Sequence, residues 1–425
     1  MMNRKLSFAL LWVGLTSLTG CEQEISRYEA SWEHRAHSLQ RELDANVPLT
    51  RSTFMGTHNS YNASSYTTPQ SYPDPNQTHS ITSQLRMDIR ALELDVHSFN
   101  VYDQATGTWS IDLLLCHGLG NHLGCSPWDR PFVAGLQEIA DWISKPENRD
   151  EVLLVYIEDH INSTHYHMAL NAIEKTIAPF VYKPENFGFS KVPSSMSKQQ
   201  VRDAGKNILL ITDGCQNSYF SQYVFAGFEN GPSGYPTAGV EDLLPAPDCL
   251  SQSYPEENID ALFVRIQEDR TVLSNLVGAA GPRITPELVT NLVNCEINLI
   301  GLDKLRPFDG RLRAGIWSWA VNEPASAPEK NCAVHNGSSR FEAAACDTPL
   351  PFACRDHHGG GWFITAHKGG WAEGFSACEE ADMAFSVPFS AKDNADLSYW
   401  KDVVDISDVW LGYSNGETGE WQAYY

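Results

Sequence analysis

The stretch Met55–Asn62 reads MGTHNSYN: an apolar lead-in, a small-residue turn at Gly56 and Thr57, then a histidine beside an asparagine. It reads as the end of a strand that delivers His58 and Asn59. The same pattern recurs along the chain, where apolar runs end in polar residues. STFMGTHNSY (52–61) is followed by IRALELDVHS (89–98), IDLLLCHG (111–118) and EVLLVYIEDH (151–160). NILLITDG (207–214), ALFVRIQED (261–269), INLIGLDKL (297–305) and RAGIWSWAVNEP (313–324) complete the series. Helix-compatible stretches such as FVAGLQEIADWISK (132–145) and TPELVTNLVNCE (285–296) lie between several of them. Strand runs alternating with helices predict an α/β fold, a parallel sheet closed as a (β/α)8 TIM barrel.

The ends of the first four runs carry chemistry: His58 and Asn59, then Glu93 and Asp95, then His117, then Glu158 and Asp159. In such a barrel the C-terminal strand ends meet on one face. Glu93, Asp95, Glu158 and the Asn59 amide oxygen would then form a set of hard oxygen donors. That set suits Ca2+, and Mg2+ less well, rather than zinc. His58 and His117 remain for proton transfer, because imidazole titrates near neutrality. Two histidines beside an oxygen-held cation fit phosphodiester cleavage. Taken alone, each of these side chains also fits a solvated or hydrogen-bonded surface position; the agreement of four successive strand ends carries the reading.

The bulk numbers bound the alternatives. The 425 residues suit one large domain or two, and 42% hydrophobic with 20% charged residues is globular composition. A formal net charge of −23 argues against nucleic acid as a partner. Arg4 and Lys5 precede FALLWVGL, too short to cross a bilayer and typical of a signal segment. LTGC (18–21) resembles a bacterial lipobox. That resemblance implies removal of residues 1–20, lipidation of Cys21, and, with Glu22 following, a cell-envelope location at the outer membrane. Ten cysteines suit an oxidising compartment. Besides Cys21, local pairing suggests Cys116–Cys125, Cys215–Cys249, Cys332–Cys346 and Cys354–Cys378, leaving Cys295 over; spacing alone does not fix connectivity.

The motifs resemble those of phosphoinositide-specific phospholipase C X domains. GTHNSY is similar to their S-H-N-T-Y segment, RALELDVHS to R-x-V-E-L-D-x-W, LLLCHG to x-Y-H-G and VLLVYIEDH to L-S-x-E-N-H, in the same order. The likeness is good over 48–160 and looser to about residue 320. It implies His58 and His117 as catalytic histidines and Asn59, Glu93, Asp95 and Glu158 as calcium ligands. It also implies a phospholipid or other glycerophosphodiester substrate, whose headgroup hydroxyl attacks phosphorus while diacylglycerol leaves. His58 would hold the phosphoryl group and His117 would protonate the leaving oxygen, with Glu93 or Glu158 as an alternative base. The metal-independent bacterial branch has Asp where this chain has Asn59. The half of the barrel that contacts the headgroup in those enzymes matches less clearly; Arg265 and Lys304 are weak candidates there, more in keeping with surface or ion-paired residues.

From about Arg313 tryptophan, glycine and cysteine become frequent. WSWAVNEP, NCAVHNGSSRFEAAAC and LPFACR resemble the second half of a C-type lectin-like domain, and GWAEGFSACEEADMAFSVP and VWLGYSNGETGEW the first half, in permuted order. This resemblance favours the Cys332–Cys346 and Cys354–Cys378 bridges. It divides the chain into a lead (21–47), a barrel (48–312) and a lectin-like region (313–425) whose first part is available to supply the last barrel strand. Asn322-Glu323-Pro324 is similar to a calcium-and-sugar motif, but the second ligand segment is missing, so a structural module or a glycan or protein contact is expected. His357 and His358 read as a glycine-flanked linker rather than a metal site. The functional readings are therefore a calcium-dependent phosphodiesterase of phospholipase C type, a surface lectin-like binding protein with an inactive barrel, and a glycerophosphodiester phosphodiesterase on the same barrel.

Overall fold

The computed structural model describes residue 20 and residues 22–424, apart from 68–71, 104, 119–121, 185–189, 213–216, 230–242, 247, 250–262, 278–280, 326, 328, 358–359 and 417–418. The signal segment up to residue 19, Cys21, Cys215 and His358 lie outside the described residues. The first sheet contains β1 (Phe54–Thr57), β2 (Ala91–Asp103), β3 (Thr108–Leu115), β4 (Arg130–Pro131), β5 (Leu153–His160), β6 (Ile208–Thr212), β7 (Val224–Phe225), β8 (Arg265–Gln267) and β9 (Leu299–Leu302). Its path is β7-β6-β5-β2-β1-β9-β8, with every neighbour on that path parallel. The sheet curls as a TIM-type half-barrel; among the described residues seven of its strands run parallel, and β7 and β8 end the path without pairing with each other.

Two of the eight expected strands are different in kind. IDLLLCHG does form β3, but β3 runs antiparallel to β2, from Val96 opposite Leu115 to Asp103 opposite Thr108. Only residues 104–107 separate the two strands, enough for a hairpin, whereas a parallel return needs a crossover of a dozen residues or more. RAGIWSWAVNEP supplies no barrel strand. Asp309 caps a short helix, Gly310–Ala314, and Trp319 then bridges to Phe341 in the C-terminal sheet. The barrel's seventh parallel strand is instead β7, too short to stand out in the sequence.

Side-chain alternation divides the core. On β2, Leu92, Leu94 and Val96 pack outward with Leu136, Ile139 and Ile143 of the helix Phe132–Ile143. Ala91 faces the barrel interior, with Phe54, Leu154, Tyr156, Leu209, Phe263 and Leu299 as a second buried cluster. Strands β1 and β2 approach closely because position 56 is glycine; a Cβ there would sit 3.0 Å from the Ala91 Cβ.

The helix Trp32–Leu43 closes the opposite end of the barrel from the predicted site. Arg41 reaches Asp88, just before β2, at 2.8 Å, and Glu151, just before β5, at 2.9 Å. Asp44, after the helix, pairs with buried Lys198 at 2.7 Å.

The C-terminal region builds two small antiparallel sheets. One is β11 (Phe341–Ala345), β10 (Lys330–His335), β15 (Val409–Ser414) and β16 (Gln422–Ala423) in that order; the other is β13 (Trp362–Ile364), β12 (Ala353–Arg355) and β14 (Ala384–Phe385). Disulfides Cys332–Cys346 and Cys354–Cys378 staple it, and Cys116–Cys125 forms in the barrel. The remaining expectation is overturned: Cys249 pairs with Cys295, not with Cys215, across 46 residues. Short spacing could not have shown that pair, because the fold brings the two segments together. Glu323, suggested by the sugar-motif resemblance, accepts from the backbone N–H groups of Ala325 and Ala343 and so braces its own loop. No helix among the described residues is long and apolar enough to cross a membrane.

Candidate active site

Period-two alternation carries the site out of the apolar interior. Beyond Ala91 the same face of β2 presents Glu93, Asp95 and His97, and β5 presents Tyr156, Glu158 and His160. The parallel register sets them side by side: Glu93 by Tyr156, Asp95 by Glu158, His97 by His160. The His97 and His160 rings stack with centroids 4.3 Å apart. His58 and Asn59 follow β1 directly, with Asn59 in a left-handed conformation at φ 46° that turns the chain across the barrel mouth. Asparagine tolerates that region better than most residues.

Carboxylate oxygens of Glu93, Asp95 and Glu158 all lie within 4.8 Å of one another. Burial, then the charges of Glu158 and Glu93, raise the Asp95 pKa well above the usual carboxylate range. Glu158 is held below its ordinary value: burial opposes this, but the His160 ring at 2.8 Å, with the charges of Arg265 and His58, outweighs it. One end of the Asn59 amide lies 2.8 and 3.0 Å from the two Asp95 oxygens. Without a cation that end must be the nitrogen, donating to Asp95, while the oxygen accepts from His58 Nε2 at 3.2 Å. Tyr61 Oη also donates to Asp95, at 2.9 Å. The donor set is three carboxyl groups and an amide, all hard oxygen donors, so Ca2+ or Mg2+ fits it by ligand type, with the amide turned to present its oxygen.

His58 is buried among acids. Its Nδ1 lies 3.4 Å from Asp303 and its Nε2 4.0 Å from Glu93. Burial alone would lower its pKa; Glu93, Asp303 and Asp269 overcome that and push it up to about 10. The ring is an imidazolium at neutral pH. Asn76 braces this side by donating to Asp303 at 2.9 Å. His117 lies across the mouth, its ring 6.5 Å from that of His58 and steeply inclined at 82°. Its loop is held by Cys116–Cys125 and by the close fit of Gly124, where a Cβ would meet the His117 carbonyl at 2.7 Å.

All six residues singled out from the sequence thus line one region, His117 at its edge. Sequence reasoning missed Asp303 and Asp269, although they follow β9 and β8 by the same strand-end rule. It also missed Asn76 and the His97, His122 and His160 group, in which His97 Nδ1 lies 2.9 Å from His122 Nδ1. Arg265, held as a weak candidate, is inside the site: Nη1 donates to Glu93 at 2.9 Å and the guanidinium lies over the Tyr156 ring at 4.6 Å. Lys304 touches this region through its backbone, donating to the Asn76 carbonyl.

Comparison with known families decides the membership. The Rv2075c PI-PLC-like domain family matches residues 20–309. The chain belongs to this family. The PI-PLC-like chain is 31% identical over 393 residues to the uncharacterized protein Rv2075c of Mycobacterium tuberculosis H37Rv, covering 87% of this chain and 77% of that one. That span exceeds the family match, so the likeness runs on into the C-terminal region. The PI-PLC X domain-containing protein At5g67130 of Arabidopsis thaliana is 29% identical over 119 residues, 27% of this chain and 25% of the relative. Among solved structures, the phosphatidylinositol-specific phospholipase C of Listeria monocytogenes aligns with a TM-score of 0.39 at 16% identity, over 64% of this chain and 94% of that one.

Proposed function

We propose that this PI-PLC-like protein is a calcium-dependent phosphodiesterase that cleaves the glycerophosphodiester bond of a membrane phospholipid, with phosphatidylinositol as the first substrate to test. The observation that carries the reading is His58 and His117 facing each other across a mouth lined by Glu93, Asp95 and Glu158. A bound divalent cation would stabilise charge on the phosphate oxygens. His58, already protonated, pairs with a non-bridging phosphate oxygen. A headgroup hydroxyl forms the new bond to phosphorus, and its proton passes to Glu158 or Glu93. The bond from phosphorus to the glycerol oxygen breaks, and that oxygen takes a proton from His117 as diacylglycerol leaves.

Exposed apolar side chains support a bilayer-borne substrate. Leu123 and Trp128 lie on the His117 loop, and Val272, Leu273 and Leu276 on the short helix that follows Asp269. Asp74 accepts from the backbone N–H groups of Val272 and Leu273 at 2.9 Å and fixes the start of that helix. Lipidation of Cys21 would hold the protein at an envelope membrane. The C-terminal region is read as a lectin-like module for glycan or protein contact. Assay of the purified protein against a phospholipid panel, with calcium or with chelator, tests the activity; no headgroup release from any lipid would refute it.

A further inference from the structure

The buried Arg265–Glu93 ion pair lies inside the same carboxylate cluster that fits a cation. Arg265 comes from β8, across the barrel from β2, and is 8% exposed. Its Nη1 holds Glu93 Oε1 at 2.9 Å, while the other Glu93 oxygen accepts from the Asn59 backbone N–H at 3.3 Å. The guanidinium also helps keep the Glu158 carboxylate ionised. A fixed positive charge therefore already serves part of the ligand set. A guanidinium and a divalent ion within a few ångströms repel strongly where water is scarce. A cation that takes Glu93 either draws Oε1 away from Arg265 or shares the carboxylate with it through Oε2, and in both cases the fixed positive charge opposes its binding.

We propose that Arg265 and a divalent cation compete for Glu93, so that Arg265 sets the cation affinity of this site. The inference rests on the oxygen-ligand reading of Glu93, Asp95 and Glu158 given above. In the cation-free protein Arg265 acts as the resident counter-charge; when a cation enters, the guanidinium turns from Glu93 towards the open mouth. The affinity is thereby held low, and the site fills only where free calcium is plentiful.

The test is isothermal titration of Ca2+ into the whole folded protein, with no substrate present, backed by the calcium-dependent shift in melting temperature. Arg265→Gln should bind Ca2+ at least about tenfold more tightly than the wild type. It should also melt lower than the wild type without the ion and gain more on adding it. Arg265→Lys, which keeps the charge, should stay near the wild-type affinity and shows whether any change comes from charge or from disturbed packing. Unchanged or weaker binding in Arg265→Gln overturns the competition. Glu93→Gln separates the two ideas: if it binds Ca2+ as the wild type does, the oxygen-ligand reading itself fails. If neither the wild type nor Arg265→Gln binds Ca2+, both fall; binding by Arg265→Gln alone supports the competition in its strongest form.

Discussion

His58 Nδ1 and the Asp303 carboxylate meet at 3.4 Å, one from the turn after the first barrel strand and the other from the residue after the last. The contact ties the two ends of the barrel sequence together at its mouth. With Glu93 and Asp269 it keeps the imidazole protonated. Asp303 is therefore a positioning residue, and Asp303→Asn removes the charge at little cost in shape. We expect kcat on a phospholipid substrate to fall by roughly 10²-fold, with KM within about threefold. An equal change in KM and none in kcat would show that Asp303 serves binding alone.

His117 stands opposite with a different task. As the acid for the departing glycerol oxygen, it should cost about 10²–10⁴ in rate when replaced by alanine, with the fold unchanged by circular dichroism. A loss below about threefold would remove it from the mechanism. A substrate with a good leaving group, such as a nitrophenyl phosphodiester, should be much less affected by His117→Ala, because its leaving oxygen needs no proton.

The mouth's apolar rim gives a prediction about lipid presentation. Leu273 and Leu276 are 61% and 79% exposed, so replacing both by aspartate removes little packing. Each leucine seated in a bilayer is worth about 1.5–3 kcal/mol. The double variant should lose at least about tenfold in binding to phospholipid vesicles and in activity on them. Turnover of a short-chain soluble substrate should stay within about twofold. Equal losses on both substrates would place these residues in the fold instead of the interface.

Acid stability reports on the helix that closes the far end. His37 is buried, and Nε2 donates to the Leu312 carbonyl at 2.9 Å. Burial, reinforced by Arg41, pushes its pKa down to about 4 despite Asp88. An unfolded histidine titrates near 6.5, so below that pH the unfolded chain binds a proton that the folded chain refuses. Stability should fall as pH drops from about 6.5 towards 4, with His37 accounting for about 2 kcal/mol at pH 5. His37→Gln should flatten that part of the pH profile in chemical denaturation. An unchanged slope would mean that His37 titrates normally.

How much of this was legible beforehand differs by element. The β2 alternation in ALELDVHS was fully readable, because a two-residue period has one solution once one face is apolar. It put Glu93 and Asp95 together, and the register with β5 added Glu158. β3 was misjudged because its apolar run has no direction written in it, and because both strands extend past their apolar runs, to Asp103 and from Thr108, which makes the connection much shorter than the gap between the runs. RAGIWSWAVNEP looked like a strand because Trp317 and Trp319 are apolar, yet both rings pack against Phe341 of the C-terminal sheet. Asp303 was within reach in INLIGLDKL, at the very position the strand-end rule marks. Arg265 could not be placed from sequence, since its role depends on which strand faces β2 across the barrel. Cys249–Cys295 depends likewise on tertiary approach.

The most direct test is phosphorus-31 NMR of phosphatidylinositol vesicles incubated with the purified protein, with calcium or with chelator, beside His117→Ala. We expect the lipid phosphate signal to give way to a water-soluble inositol phosphate signal with calcium, and to persist with chelator or in the variant. Persistence of the lipid signal in every sample, or equal turnover by His117→Ala, would contradict the account.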